Sequence, residues 1–398
     1  MERLPEFAGQ YHEVNKGRFW NYHFTAENFE WPSEKQEPQK YVIDSFSPNL
    51  NKTLRVHHLR GLALAKSLDK ILSQNSHSVF HVSLLGASQG VLSEAISKLK
   101  KWFDFLDFYP NLNYDVLQPW DYVDCRLVED SENPMNGCKV WDGPKGPVIV
   151  VRSDGRPTYT FYEIAFAKNI NPTHYLTGVE QKEHFEALGL GDKHLPMGLV
   201  LGKDGKKMKS RSGDSPSADE IIENIKERLE ETPEPEKLAW NVLAWNFLHV
   251  SRAQNVKYDP DLWTDPDAPG LYITYTYARM MSALRKSNYH ARKMSMRTPS
   301  KCDFEEDDSP CPINLTESDV ELLGCAAYLK HYTKRAIASL DPTQLANYAH
   351  TLARRLGTAY HQEKIDGGRY AFQFAVAESL RALKQTMSQI AMFPLEKV

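Results

Sequence analysis

The sequence lacks the marks of a secreted, membrane-spanning or metal-stapled protein. Among its 398 residues are only five cysteines (Cys125, Cys138, Cys302, Cys311 and Cys325), an odd number with no close pair. No Cys-x-x-Cys or Cys/His group has zinc-ligand spacing, so free thiols in a reducing compartment are expected and no metal. No apolar run is long enough to cross a bilayer, and the opening MERLPEFAGQYHEVNKGRFW is too polar for a secretory leader. A cytoplasmic chain with no membrane partner is therefore expected. Charge of one sign is lacking too: 48 Lys and Arg against 52 Asp and Glu leave a net charge of -4, which provides no global positive field.

What is present is ordinary globular composition, 41% hydrophobic and 25% charged, in a length that suits two or three domains. Its basic residues cluster. One run holds Lys98, Lys100 and Lys101; a second Lys203, Lys206, Lys207, Lys209 and Arg211; a third Arg285, Lys286, Arg292, Lys293 and Arg297. One such run is an ordinary solvated face; three in a slightly acidic chain suit a phosphate-rich partner.

Residues 1–40 read as a polar, aromatic arm. YVIDSFS (41–47) is β-rich, apolar residues at helical spacing run from Val56 to Leu72, VFHVSLLG (79–86) is a second strand and 91–107 a second helix. That is the strand–helix–strand rhythm of a parallel sheet. Pro, Asn, Asp and Trp interrupt it over 108–147, an insertion. The rhythm resumes with PVIVVRS (147–153), a helix near 160–168, HYLTGV (174–179), a helix near 181–188 and LPMGLVLG (195–202). From 216 the pattern is helical, with helices over 218–231, 235–253, 270–290, 316–338, 342–362 and 369–390 and a break at 298–314. The domains expected are the arm, a catalytic domain at 41–215 and a helical domain at 216–398.

The most specific local signal is Gly205-Lys206-Lys207-Met208-Lys209-Ser210-Arg211-Ser212-Gly213. Clustered cations between glycines suit a loop that closes on phosphates and neutralises charge developing there. Its place after the last strand of a split doubly wound sheet is that of the KMSKS loop of class I synthetases. The segment Ser47-Pro48-Asn49-Leu50-Asn51-Lys52-Thr53-Leu54-Arg55-Val56-His57-His58-Leu59-Arg60 resembles the arginyl-tRNA synthetase stretch that carries the HIGH signature. Three further stretches resemble the same family. They are Ser153-Asp154-Gly155 through Tyr159-Thr160 to Glu163-Ile164-Ala165, Gly178-Val179-Glu180-Gln181 with His184-Phe185, and Gly270-Leu271-Tyr272-Ile273 with Tyr275 and Ala278-Arg279. The resemblance runs, with gaps, from about residue 41 to the C-terminus. It implies an α/β protein with a class I synthetase-type Rossmann parallel sheet and a C-terminal, all-α, anticodon-binding-like bundle.

The resemblance also implies roles. Asn49, Tyr159, Glu163 and Gln181 match positions that hold the arginine substrate, and a guanidinium with five donors wants a carboxylate and neutral acceptors. Glu163 stands where the family has Asp. Arg55, Lys206, Lys207, Lys209, Arg211 and Arg279 would meet phosphate or tRNA, and Lys52 stands where the family often has a lysine beside the phosphates. In the HIGH signature Arg55 replaces the first histidine and His57 the glycine, while His58 is retained. A side chain in the glycine slot is expected to collide with adenine. About 40 residues precede the first strand, so the family's N-terminal tRNA-elbow module is not expected.

These departures lead to the expectation of a tRNA-dependent cyclodipeptide synthase, resembling the arginine-containing members of that group. It would join arginine from arginyl-tRNA to the residue on a second aminoacyl-tRNA, with His57 or His58 as proton acceptor and Ser47 as a transient acyl carrier. No cofactor is expected on that reading. Two alternatives stand beside it: a divergent arginyl-tRNA synthetase, which would need ATP and Mg, and a non-catalytic tRNA-binding paralogue. A monomer is favoured.

Overall fold

The structure, a computed structural model, describes residues 11–16, 19–24, 37–48, 53–84, 92–113, 121–208, 216–229, 232–287, 289 and 315–398. They fall into two compact units, one formed by Pro38–Ile221 with Val250–Asp259, the other by Met1–Glu37, Ile222–His249 and Pro260–Val398.

The first unit is α/β. Its main sheet is built from β3 (Lys40–Asp44), β4 (Ser78–Leu84), β5 (Asn111–Asn113), β9 (His174–Gly178) and β10 (His194–Met197), all parallel, in the order β10-β9-β3-β4-β5. Numbered along the chain, this is the 3-2-1-4-5 order of a doubly wound sheet, with its switch point between β3 and β9. The crossovers are α1 (Val56–Ser73), α2 (Leu92–Leu106) and α3 (Tyr159–Ile170), and the short α4 (Lys182–Ala187) joins β9 to β10.

Apolar residues fall on several sides of α1, so it is buried along most of its length, Leu59, Leu62, Ala63, Leu68, Ile71 and Leu72 included. Helix α3 is clasped from two sides. Phe161, Ile164 and Ala165 pack with Val150 and Val151, whereas Phe166 packs with Val82, Leu84 and Tyr175 on the main sheet and with Phe185 of α4. Each fully buried aromatic or aliphatic side chain contributes about 1.5–3 kcal/mol, and the clasp fixes the residues between these two stripes.

One expectation needs correction. PVIVVRS does not resume the parallel sheet. As β8 (Gly146–Val151) it pairs antiparallel with β7 (Lys139–Gly143), which pairs with β6 (Arg126–Leu127) in a separate three-stranded sheet. The main sheet takes its outer strand from β5 instead. An apolar run has the same sequence in a side sheet as in a buried parallel strand, and a three-residue Asn-Leu-Asn strand carries no legible alternation.

The last expected strand is also divided. Gly198 interrupts it, leaving β11 (Val200–Leu201) to pair in parallel with β12 (Val256–Lys257). A Cβ at Gly198 would stand 2.3 Å from the carbonyl carbon of Gln254, so only glycine permits that approach. Beside it Arg60 of α1, wholly buried, donates to the carbonyls of Gly198 (2.7 Å), Leu199 (3.4 Å), Ser251 (3.4 Å) and Arg252 (3.3 Å).

The second unit contains a two-stranded antiparallel ribbon, β1 (Tyr11–Lys16) and β2 (Phe19–Phe24), and a helical assembly. Its helices are α6 (Pro235–Leu248), α7 (Pro260–Trp263), α8 (Pro269–Lys286), α9 (Glu317–Ala327), α10 (Leu329–Ser339), α11 (Thr343–Gln362) and α12 (Tyr370–Gln389), while α5 (Ala218–Lys226) begins in the first unit. Thr316 caps α9 in a capping box with Asp319, and Arg369 anchors that carboxylate at 3.0 Å. The single helix expected over 316–338 is two. The Tyr348 hydroxyl lies 3.1 Å from the Cys325 carbonyl and 3.0 Å from that of Ala326, a tertiary contact at the end of α9 that periodicity cannot reveal. No described helix is long and apolar enough to cross a membrane.

Candidate active site

In an open α/β sheet the ligand crevice lies beyond the carboxyl ends of the strands at the switch point, here the ends of β3 and β9. Strand β3 ends on Asp44, whose carboxyl is buried, 6% exposed. Ser47 donates to Asp44 (2.5 Å) and accepts from the Leu84 N–H (2.9 Å), tying the first strand's exit to the second. From α3 comes Glu163, also 6% exposed and hydrogen-bonded to His184 of α4.

Asp44 senses the charge of Glu163. Burial pushes Asp44 up to about 7, the Ser47 hydroxyl opposes the rise and Glu163 adds to it. Two tyrosines register the same negative charge. Desolvation raises the Tyr159 phenol first, then Glu163 and Asp44 raise it further, although its ring is half exposed. Tyr175, wholly buried on β9, is raised by desolvation, then Asp44 and Glu163, and its hydroxyl has no hydrogen-bond partner among the described residues. Two buried carboxyls close to two tyrosines suit a cationic amino acid.

A second group of candidate residues stands at the N-terminus of α1. Its first turn holds no acidic residue, so the macrodipole favours an anion there. Arg55 is the N-cap, and its N–H donates to Nδ1 of His58 (2.8 Å). Desolvation, then His57, push His58 down to about 3 despite that bond. His58 is thus neutral at physiological pH with its proton on Nε2. The His57 and His58 rings lie 4.0 Å apart. Desolvation lowers His57; Glu180 pulls it upward, and Arg55 and Lys207 press it down.

The lysine-rich segment reaches this turn. Gly205, at φ +75°, closes a tight turn whose Gly202 N–H donates to the Lys206 carbonyl (2.8 Å), and Lys207 bridges back to Leu201. Farther on, Ser217 forms a β-bridge with Arg55, and the Ala218 N–H donates to the Leu54 carbonyl (2.9 Å). Ser217 and Ala218 are thereby pinned to the start of α1. Beyond β9, Glu180 folds its carboxylate over Gly178, into space that a Cβ would fill.

Of the residues singled out from the sequence, Ser47, Tyr159 and Glu163 gather around Asp44, and Arg55, His57, His58 and Lys207 form the neighbouring group. Lys206 is exposed on the same turn, and Gln181 is exposed between β9 and α4. Arg279 belongs to the other unit, where its guanidinium lies 5.0 Å over the Tyr360 ring. Asn49, Lys52, Lys209 and Arg211 lie outside the described residues. Sequence reasoning missed Asp44, Tyr175 and His184. The signal for Asp44 was a carboxylate ending an apolar strand, and His184 sat unassigned inside a recognised motif.

Comparison with known proteins places these features. Residues 273–390 match the DALR anticodon binding domain. The arginine–tRNA ligase of Borreliella burgdorferi is 28% identical over 472 aligned positions, covering 89% of this chain and 78% of the relative. That of Phocaeicola vulgatus is 29% identical over 251, covering 54% of this chain. The chain spans about two fifths of that relative's length, 39%. Arginyl-tRNA synthetase of Thermus thermophilus superposes with a TM-score of 0.66 over 99% of this chain and 89% of the other, at 16% identity, a likeness of fold. The chain is arginyl-tRNA synthetase-like with a DALR anticodon-binding domain, and its α/β unit has the class I synthetase fold.

These findings correct the expected function. The relatives that match along most of the chain are arginine–tRNA ligases, and nothing among them supports cyclodipeptide synthesis, the subgroup it was assigned to, or a second aminoacyl-tRNA as partner. The acyl-carrier role of Ser47 goes with that reaction.

Proposed function

We propose that this chain is an arginine–tRNA ligase: it activates arginine with ATP and transfers it to tRNA. The observation that carries the reading is the buried pair Asp44 and Glu163 at the sheet's switch point, an anionic pocket beside a cationic, anion-binding helix start. A dicationic amino acid, with ammonium at one end and guanidinium at the other, neutralises both carboxylates and leaves its own carboxylate for the phosphates. Glu163 would take the guanidinium, with Tyr159 and Gln181 as neutral partners and Asn49 beside them.

The arginine carboxylate would attack the α-phosphate of ATP, forming the mixed anhydride and releasing pyrophosphate. A ribose hydroxyl at the tRNA 3′ end would then attack the carbonyl and release AMP. Arg55, Lys206 and Lys207, with Lys52, Lys209 and Arg211, would neutralise the charge that develops on the leaving pyrophosphate. His58, neutral with Nε2–H available, can donate to a phosphate oxygen. ATP, with magnesium, enters as a substrate. The DALR domain, with Arg279 in it, would supply tRNA contacts. Transfer of labelled arginine to a total tRNA pool, dependent on ATP, tests the reading; no ATP-dependent transfer contradicts it.

A second reading, tRNA binding without charging, is favoured by one observation. His57 puts an imidazole, packed on His58, where the family's glycine leaves space for adenine. On that reading the purified chain binds tRNA but does not bind ATP.

A further inference from the structure

Glu163 is held before any ligand arrives. Its Oε2 is bonded to Nε2 of His184 across a separation of 21 residues, from α3 to α4. Oε1 makes no hydrogen bond among the described residues. Helix α4 is itself anchored, because the neighbouring Phe185 is buried, stacked on His194 at 4.9 Å and tilted against Tyr175 at 5.0 Å. The Glu163 bond raises the pKa of His184 against the opposing effect of burial.

A glutamate has one more side-chain torsion than an aspartate, and an unheld carboxylate must be ordered each time a ligand binds. The arginyl-tRNA synthetase motif that this stretch resembles carries Asp at position 163. The extra methylene extends the reach of this carboxylate, and here that carboxylate meets His184.

We propose that His184 is the positioning residue of the arginine pocket: it grips Glu163 by Oε2 and presents Oε1 to the guanidinium. The inference rests on the reading of Glu163 as the guanidinium's carboxylate. Without the imidazole the carboxylate can rotate away, and binding loses preorganisation rather than chemistry. His184→Ala should therefore raise KM for arginine and leave kcat nearly unchanged, the mark of lost uniform binding. Gln at position 184 places an amide nitrogen close to where Nε2 stands and should restore the grip. Glu163→Asp should retreat from His184, so its effect and that of His184→Ala should not add.

The test is calorimetric titration of arginine into the full chain and its variants, with KM and kcat measured in parallel. Expected are loss of binding in Glu163→Gln, weakening of about ten-fold or more in His184→Ala, and affinity within about three-fold of wild type in His184→Gln. Should His184→Ala fail to fold, His184→Asn, whose amide is too short to reach Oε2, takes its place. Wild-type affinity in His184→Ala with binding lost in Glu163→Gln overturns the positioning role and leaves the pocket standing. Wild-type affinity in Glu163→Gln overturns both.

Discussion

The carboxyl of Asp44, at the end of β3, is pushed up to about 7 by burial, and the charge of Glu163 on α3 adds to the rise. Two acids from different elements thus crowd one crevice with negative charge, which costs the empty protein stability and favours a cation.

That crowding has a pH signature. A carboxyl in the unfolded chain titrates near 4. Between there and about 7 the folded protein holds the Asp44 proton that the unfolded chain has lost, so stability falls as pH rises. Above about 7 the cost is complete, of the order of 4 kcal/mol. Asp44→Asn should therefore be more stable than wild type in urea at pH 8, with the difference closing toward pH 4. A difference that does not change with pH contradicts the assignment.

Glu163→Ala should abolish arginine binding. It removes the buried partner of a guanidinium, at a cost of about 3 kcal/mol or more, or over roughly a hundred-fold in Kd. Calorimetry with arginine reads the loss directly; unchanged affinity would mean that the pocket lies elsewhere.

Lys207→Ala should lower the activation rate by about ten-fold and leave arginine binding alone, because Lys207 bears on the phosphate side through its place beside His57. Lys206 limits the loss. His57→Gly should lower KM for ATP several-fold if the imidazole obstructs the purine, and an unchanged KM would show that the ring stands clear.

Arg60→Leu should destabilise the α/β unit by about 3 kcal/mol or more, since four carbonyls lose their donor at once. Equilibrium urea unfolding checks this; a midpoint within error of wild type would mean that water replaces the guanidinium.

The fold was legible wherever burial followed sequence periodicity. YVIDSFS, Val56 to Leu72 and HYLTGV declared β3, α1 and β9 because each is an apolar run that the fold buries. What escaped depended on partners distant in sequence. β8 joined β7 rather than the main sheet, β5 was too short to show a period, and the break between α9 and α10 lies beside the Tyr348 hydroxyl, a residue of α11. The same holds at the site. Glu163 and Tyr159 stood out through a motif, whereas the place of Asp44 beside Glu163 and the grip of His184 are visible only once α3, α4 and β3 converge. The function first expected was drawn from the replacements at Arg55 and His57 and from the short stretch before the first strand. It gave way because the relatives matching most of the chain are ligases.

The central claim is that arginine and ATP react in this crevice. Exchange of labelled pyrophosphate into ATP, with tRNA present, tests it most directly. Label should enter ATP when arginine is supplied, and not when arginine is omitted or when Glu163→Ala replaces the wild type. No exchange from a folded chain that binds arginine would contradict it and leave a protein that holds its ligands without activating them.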